Sequence, residues 1–229
     1  MRITSYYLTI LSCVAILSGC VSSNGTTQEA SNHPELDYEF IGIPLLAFGS
    51  GTSVPLTPEL SITAAHVAMF GYDKVVAYHP HCDIAIIETD NDSDDISLSG
   101  KIFSGESVTT YGMDLFGDML TSQGLYHLDL NFVNSDDYTS CPASIMDAPI
   151  EAGMSGGGVY NRDNELVGII TAFASKEGTK LLSGDPLEID RISIFVSTLY
   201  LGPWVEETLN NYYHEDSNIT RPDGVALIN

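Results

Sequence analysis

Short apolar runs, each closed by turn-forming residues, make up most of the chain from Tyr38 onward. The runs are rich in β-branched residues, and Gly, Pro, Asn and Asp interrupt them at close intervals. They read FIGIPLLAFGSG, LSITAAHV, KVVAYH, DIAIIET, SVTTYGM, HLDLNFV, GGVYN, LVGIITAF and ISIFVST. This pattern predicts an all-β barrel or sandwich. One segment differs, because WVEETLNNYY after Pro203 predicts a C-terminal helix that opens at the proline.

The N-terminal segment lacks this pattern and is not expected to be part of the fold. After the basic Arg2, an apolar run extends from Tyr6 to Leu17. The run is too short for a stable membrane-spanning helix and suits the apolar core of a signal peptide. Residues 20–36 are polar with few large apolar side chains, which predicts a flexible tether with a reach of roughly 20 to 25 Å.

The junction between the signal segment and the tether carries a motif. Leu17-Ser18-Gly19-Cys20 resembles the lipobox of bacterial lipoproteins, in which the signal is cut before the cysteine and the thiol receives a diacylglycerol. The resemblance implies a signal peptide over 1–19, lipidation of Cys20 and a membrane-anchored protein of the bacterial cell envelope. Val21, where Asp would retain the protein at the inner membrane, favours the outer membrane. The alternative is an ordinary secretory signal and a freely secreted protein.

Composition narrows the function classes. The 229 residues include 8 basic and 31 acidic ones, with a net charge of −23. Nucleic-acid binding needs clustered Lys and Arg, so we expect no nucleic-acid partner. The expected globular part, residues 37–213, suits one domain or two small halves sharing an interface, followed by a tail over 214–229. The sequence indicates no oligomeric state.

Two of the four cysteines remain for the folded domain. Cys13 leaves with the signal and Cys20 is the lipidation candidate, which leaves Cys82 and Cys141. In an oxidising compartment two such thiols tend to pair, so we expect a disulfide between them. The alternative is two buried free thiols.

Three local motifs combine into a candidate catalytic site. His66 ends the small-residue turn SITAAHV, Asp83 opens the apolar run DIAII, and Ser155 stands within GMSGGG. A serine hydroxyl needs a general base, which His supplies, and that His needs a carboxylate to fix its tautomer. Asp73 and Asp90 are rival carboxylates, but only Asp83 opens a strand of buried type.

The glycines around Ser155 have a chemical use as well. A tetrahedral oxyanion needs preorganised donors, and glycine allows the backbone to present its N–H groups in unusual conformations. The predicted oxyanion donors are therefore the backbone N–H groups of Gly153 and Ser155.

Taken together, TAAHV, DIAII and GMSGGGV, in the order His, Asp, Ser, resemble the trypsin-like serine proteases of the chymotrypsin fold, bacterial type. The order differs from that of α/β-hydrolases and of subtilisin-like enzymes. The resemblance implies two six-stranded antiparallel β-barrels and a serine endopeptidase that acts on protein or peptide substrates without a cofactor. The stretch from His66 to Asp83 is short for the family, so the first barrel is expected to be trimmed.

The resemblance also places a substrate pocket. Its implied floor and walls lack charged side chains, which favours a small or medium apolar P1 residue. The implied pocket residues are Pro149, Ile150, Thr171, Ala172, Phe173, Ser193 and Phe195.

Other functions remain as alternatives. His79 and His81 alternate on one strand, but no third ligand with metal-like spacing accompanies them, so we expect no metal. A catalytically inactive binding lipoprotein on a protease fold and a purely structural envelope lipoprotein are the competing interpretations. The intact His-Asp-Ser set favours the enzyme.

Overall fold

The computed structural model describes residues 22–44, 46–91, 100–129, 133–134, 141–176, 180–181 and 183–215. These residues form fourteen strands and two helices. The strands are β1 Gln28–Glu29, β2 Asp37–Ile43, β3 Ala47–Thr57, β4 Leu60–Thr63, β5 Val75–Tyr78, β6 Ala85–Glu88, β7 Ser107–Met113, β8 Met119–Asp129, β9 Val133–Asn134, β10 Ala143–Met146, β11 Gly158–Tyr160, β12 Leu166–Ala174, β13 Lys180–Leu181 and β14 Ile192–Ser197. The helices are α1 Ala65–Phe70 and α2 Thr198–Glu215.

The C-terminal half is a closed antiparallel barrel. Six strands follow one another around it in the order β8-β10-β14-β12-β11-β7, and β7 pairs again with β8 to close the ring. The short strand β1 adds to the outer edge of β8. Closure leaves the six barrel strands without a free edge, which keeps the site-bearing loops at fixed positions around the rim.

The N-terminal half is a smaller sheet in the order β2-β3-β4-β6-β5. Its five strands are one fewer than in the barrel, in agreement with the expected trimming between His66 and Asp83. The all-β prediction with a C-terminal helix is therefore confirmed, and the chain has the architecture of a chymotrypsin-fold protease.

One apolar cluster joins the two halves and helix α2. It contains Ile62 and Ile86 from the five-stranded sheet, Ile145 and Ile169 from the barrel, and Leu209 from the helix, all nearly inaccessible to solvent. Burying such side chains contributes about 1.5 to 3 kcal/mol each, so the shared core holds the two halves in one relative position. The candidate site lies along the junction that this core fixes.

Helix α2 begins earlier than the sequence predicts. It starts at Thr198, directly after β14, and includes Pro203 rather than opening at it. The reason is the spacing of its buried face, since Leu201, Val205 and Leu209 follow one another at intervals of four and are fully buried. Packing of Leu201 outweighs the hydrogen bond that the proline cannot make.

A disulfide ties the two halves together. The sulfur atoms of Cys82 and Cys141 are 2.07 Å apart, in agreement with the expected pair, and 59 residues separate the two positions. Closing a loop of that length is expected to stabilise the fold by about 4 kcal/mol through the chain entropy of the unfolded state. Because Cys82 precedes Asp83, the bond also anchors the loop that carries this carboxylate.

Of the sequence predictions, the flexible tether differs most from the structure. Residues 22–30, which we call the N-terminal strap, lie along the barrel instead of behaving as a flexible coil. Strand β1 pairs with Leu120 and Thr121, the Ala30 N–H donates to the Met119 carbonyl at 2.8 Å, and Ser23 forms a bridge with Glu151. The polar side chains of this segment, which predict a solvated coil, instead hydrogen-bond to the domain.

The ends of the chain extend past the described residues. The signal segment 1–19 and Cys20 lie outside them, as do residues 216–229 of the expected tail, while the first two residues assigned to that tail, His214 and Glu215, are part of α2. None of the helices in the described part of the chain has the length and apolarity needed to cross a membrane.

Candidate active site

Strand register brings His66 and Asp83 to the same edge of the five-stranded sheet. Strands β4 and β6 are antiparallel neighbours, with Thr63 opposite Ala85. His66 follows the end of β4 by three residues, and Asp83 precedes the start of β6 by two. Both side chains therefore emerge at one end of the strand pair.

The two side chains form a close pair. His66 Nδ1 lies 2.6 Å from Asp83 Oδ2, and the His66 backbone N–H donates to Asp83 Oδ1 at 2.9 Å. An ionised carboxylate only accepts hydrogen bonds, so the proton belongs on Nδ1, and Nε2 is left as the basic nitrogen. Both side chains keep about two fifths of their surface exposed, at 42% for His66 and 36% for Asp83, so a substrate can reach the pair.

The loop in front of Asp83 is held by His79. Its Nδ1 accepts hydrogen bonds from the N–H groups of His81 and Cys82, at 3.2 and 3.0 Å. Burial lowers the pKa of His79, with a smaller contribution from neighbouring His81, which favours the neutral ring that these two bonds require. His79 thus has a structural use, and the described residues contain no group of three side chains placed to hold a metal ion.

The rival carboxylates lie elsewhere. Burial, followed by a hydrogen bond to Asp73, raises the pKa of Glu39 to about 8, so protonated Glu39 pairs with Asp73. Asp90 follows β6, at the end of that strand opposite to Asp83. Asp83 is therefore the carboxylate that the structure brings to His66.

Residues 153–157, which we call the Ser155 loop, are fastened to both halves of the molecule. The Thr52 N–H of β3 donates to the Ser155 carbonyl at 2.8 Å, and the Gly156 N–H donates to the Ile170 carbonyl of β12 at 2.7 Å. A Cβ atom on Gly156 would lie 1.9 Å from the Thr52 carbonyl oxygen, so only glycine fits this junction. The same position lies 3.1 Å from the backbone nitrogen of Ala64, two residues before His66, which brings the serine loop beside the histidine.

The hydroxyl of Ser155 has an acceptor other than the histidine. Among the described residues, Ser155 Oγ donates to the Thr171 carbonyl at 3.4 Å and makes no hydrogen bond to the His66 ring. Hydrogen bonds between catalytic groups are often long or absent before substrate binds, and a rotation about the Cα–Cβ bond redirects the hydroxyl.

Two N–H groups of this loop have no hydrogen-bond acceptor among the described residues. The neighbouring N–H groups of Met154, Gly156 and Gly157 donate to backbone carbonyls. Those of Gly153 and Ser155 find no acceptor in the described part of the chain. Gly153 has a φ of +102°, a conformation that glycine adopts without strain. The two predicted oxyanion donors are thus available for an anion beside Ser155.

The implied pocket residues divide into two groups. Ala172 and Phe173 of β12 pair with Ile194 and Ser193 of β14, and both are partly accessible. Ile150 and Phe195, in contrast, are 2% and 0% exposed and belong to the apolar core of the barrel. This differs from the expectation that they contact substrate, because Phe195 packs edge-on against Tyr126 inside the barrel.

The polar residues of the implied pocket make hydrogen bonds with the backbone. Ser193 Oγ donates to the Ala148 carbonyl at 2.6 Å, and Thr171 Oγ1 donates to the Ile194 carbonyl at 3.4 Å. The carbonyl of Pro149 accepts a hydrogen bond from Ser122. Pro149, Thr171 and Ser193 therefore hold the backbone at the implied pocket and add no charge there.

Sequence reasoning missed two functional positions. Thr52 Oγ1 donates to the Gly153 carbonyl at 2.9 Å and accepts from the Met113 N–H at 2.8 Å, so it fixes the turn in front of Ser155. Asn24 of the strap hydrogen-bonds to Ile150, on the segment that leads to Ser155, and to Ser193 at the start of β14. A single polar residue in a strand or a polar segment leaves no periodic signal from which such contacts could be found.

Comparison with known proteins agrees with this architecture. No protein-family model matches the chain, and no curated protein does. Among solved structures, the active form of the Rv3671c protease from M. tuberculosis superposes with a TM-score of 0.61 at 15% identity, covering 85% of each chain. The HtrA-type protease AlgW with tripeptide gives 0.59 at 19% identity, over 77% of this chain and 60% of that one. The MamO protease domain from Magnetospirillum magneticum gives 0.56 at 18% identity, over 73% and 94%.

These similarities define the class of fold. The structural neighbours are HtrA-type and trypsin-like serine proteases, and at these identities the likeness shows the chymotrypsin fold alone. The chain spans about three fifths of the length of the HtrA-type structures that it matches.

Proposed function

We propose that this protein is a serine endopeptidase that cleaves peptide bonds through an acyl-enzyme intermediate. The observation that carries the proposal is the His66–Asp83 pair, joined at 2.6 Å and set beside a Ser155 loop in which two N–H groups have no acceptor among the described residues. A nucleophile, a base, a group that orients the base and donors for an oxyanion are the parts that acyl transfer requires.

Each of these groups acts in a defined step of the proposed reaction. As Ser155 Oγ attacks the substrate carbonyl, His66 Nε2 accepts its proton, and Asp83 stabilises the resulting imidazolium. The N–H groups of Gly153 and Ser155 donate to the developing oxyanion, each contributing roughly 3 kcal/mol to the transition state. His66 then protonates the leaving amine, and a water molecule releases the acyl group by the same steps in reverse order.

The substrate class is a peptide with an uncharged P1 side chain. AlgW among the structural neighbours is described in complex with a tripeptide and a decapeptide, which supports peptide binding as the use of this fold. Phe173 and Ala172 offer a partly accessible apolar wall, in keeping with a small or medium apolar P1 residue.

Labelling with an alkyl fluorophosphonate tests the proposal. The probe is expected to form one covalent adduct, which mass spectrometry places on Ser155, because only a hydroxyl with an adjacent base reacts at neutral pH. The same protein unfolded in urea is the control and is expected to remain unlabelled. Absence of an adduct would favour the inactive binding lipoprotein, a use of the fold that the bond from Ser155 Oγ to the Thr171 carbonyl also allows. An adduct on another serine would refute Ser155 as the nucleophile.

The proposal includes a location in the bacterial cell envelope. We infer that Cys20 is lipidated and holds the domain at a membrane. The Ser22 carbonyl already accepts a hydrogen bond from the Ala152 N–H at 2.8 Å, so only one residue separates the anchor from the domain. Two residues of extended chain reach about 7 Å, which restricts substrates to proteins at the membrane surface.

Cys20→Ser is expected to abolish incorporation of metabolically supplied palmitate and to move the protein from the membrane to the soluble fraction. Two or three acyl chains give a stable anchor, whereas the polar strap gives none. Cys13→Ser, which changes the cysteine inside the signal segment, is the matched control and should leave both readouts unchanged. A Cys20→Ser protein that still fractionates with membranes would contradict lipid anchoring and favour a different mode of attachment.

A further inference from the structure

The N-terminal strap reaches the back of the substrate pocket. Its residues 22–24 run beside residues 150–152, just upstream of the Ser155 loop. The Ala152 N–H donates to the Ser22 carbonyl at 2.8 Å, and Thr27 Oγ1 donates to Glu151 Oε2 at 2.8 Å. The segment that precedes the Ser155 loop is thus held from outside by residues more than a hundred positions earlier in the chain.

Asn24 makes the central contacts of the strap. Its backbone N–H donates to the Ile150 carbonyl at 3.1 Å, and its Oδ1 accepts from the Ile150 N–H at 2.9 Å. Its Nδ2 donates to Ser193 Oγ at 2.8 Å and to the Ile192 carbonyl at 3.3 Å. Its carbonyl accepts from Arg191 Nε at 2.7 Å. All four polar groups of the residue are therefore used.

The partners of Asn24 belong to two neighbouring segments that the sequence analysis assigns to the pocket walls. Ile150 follows Pro149 on the segment that leads to the Ser155 loop, whereas Ile192 and Ser193 begin strand β14. The two segments also meet directly, since Ser193 Oγ donates to the Ala148 carbonyl at 2.6 Å, and Asn24 adds a second link between them through its amide. Ile150, Ile192 and Ser193 are each at most 2% exposed, so water cannot easily replace the amide.

Arg191 completes the connection. Its Nη1 donates to the Asp147 carbonyl at 2.8 Å, while its Nε holds the Asn24 carbonyl. A Cβ atom on Gly25 would lie 2.7 Å from this Nε, so glycine lets the guanidinium lie across the strap. The strap, the segment 147–152 and the start of β14 are thereby joined as one hydrogen-bonded unit.

We infer that Asn24 is a positioning residue of the active site, which sets the spacing between the two pocket walls and so the fit of the P1 side chain. The inference rests on the proposed peptidase function. An amide is required because Ile150 needs an acceptor while Ile192 needs a donor, and asparagine supplies both on one short side chain. Alanine supplies neither, and aspartate supplies only the acceptor.

The test compares two probes of Ser155 that differ in their use of the pocket. An alkyl fluorophosphonate has no P1 side chain, whereas a peptidyl diphenyl phosphonate with valine at P1 must fill the pocket. Second-order labelling rates are measured with both probes on the full chain for wild type, Asn24→Ala, Asn24→Asp and the control Asn32→Ala. Asn32 is an exposed asparagine that hydrogen-bonds to no other described residue.

The readout is the ratio of the peptidyl rate to the alkyl rate, in which the fraction of folded protein cancels. Asn24→Ala is expected to lower this ratio at least fivefold, Asn24→Asp to lower it less, and Asn32→Ala to keep it within twofold of wild type. An unchanged ratio in both Asn24 variants would overturn the inference while leaving the peptidase function intact. Loss of labelling in both variants together with loss of the native circular dichroism spectrum would also overturn it, because the residue would then serve stability alone. A wild type that neither probe labels would instead refute the peptidase function itself.

Discussion

Replacing Ser155 with alanine is expected to lower kcat for hydrolysis of a fluorescent casein by roughly 10⁶-fold, because the attacking oxygen is lost. His66→Ala should cost a similar factor, and the double variant should be no slower than either single variant, since the two residues act as one unit. The measurement is the initial rate at saturating casein.

The additivity comparison matters because Ser155 Oγ is bonded to the Thr171 carbonyl in the structure. If kcat of the double variant instead fell by the product of the two single-variant factors, serine and histidine would act independently. Ser31→Ala, at an exposed serine just after the strap, is the matched control and should keep the wild-type rate. Wild-type turnover in Ser155→Ala would refute the proposed nucleophile.

Asp83→Asn is expected to lower kcat by roughly 10⁴-fold with the fold retained. The amide keeps the size of the carboxylate but can donate to His66 Nδ1, which moves the ring proton to Nε2 and removes the base. Casein hydrolysis gives kcat, and the near-ultraviolet circular dichroism spectrum reports whether the fold persists.

Asp73→Asn and Asp90→Asn are the matched controls for this prediction. Each removes one carboxylate, and among the described residues the carboxylate that hydrogen-bonds to His66 is Asp83, so both controls should retain kcat within a few fold. A large loss of kcat in Asp73→Asn, with near-normal turnover in Asp83→Asn, would transfer the orienting role to Asp73.

The N-terminal strap limits how far the domain can lie from the proposed lipid anchor. A flexible tether would let the domain move about 20 to 25 Å from the membrane, whereas the strap leaves only Val21 between Cys20 and a residue bonded to Ala152. The anchor and the Ser155 loop would then be fixed on one side of the molecule, so substrates at the membrane surface would meet the cleft in a restricted set of orientations.

The sequence by itself determined the fold class and the identity of the candidate catalytic residues. Alternating β-branched runs predict strands because side chains of a strand alternate between core and solvent. His66, Asp83 and Ser155 were found because each stands in a short motif, and because their order along the chain differs among the folds that use such a triad. Gly153 and Gly156 belong to the same motif, since the conformation and close contacts that they permit are local requirements.

Tertiary structure decided what depends on contacts between distant segments. The register of β4 and β6 placed Asp83, and neither Asp73 nor Asp90, at His66. Burial of Leu201 moved the start of α2 upstream of Pro203, and packing against Tyr126 placed Phe195 in the core. Asn24 lies in a segment whose composition indicates solvation, and its partners come from residues 126 to 169 positions away. Hydrogen bonds between single polar groups so far apart have no spacing rule in the sequence, because the folded backbone alone determines which groups meet.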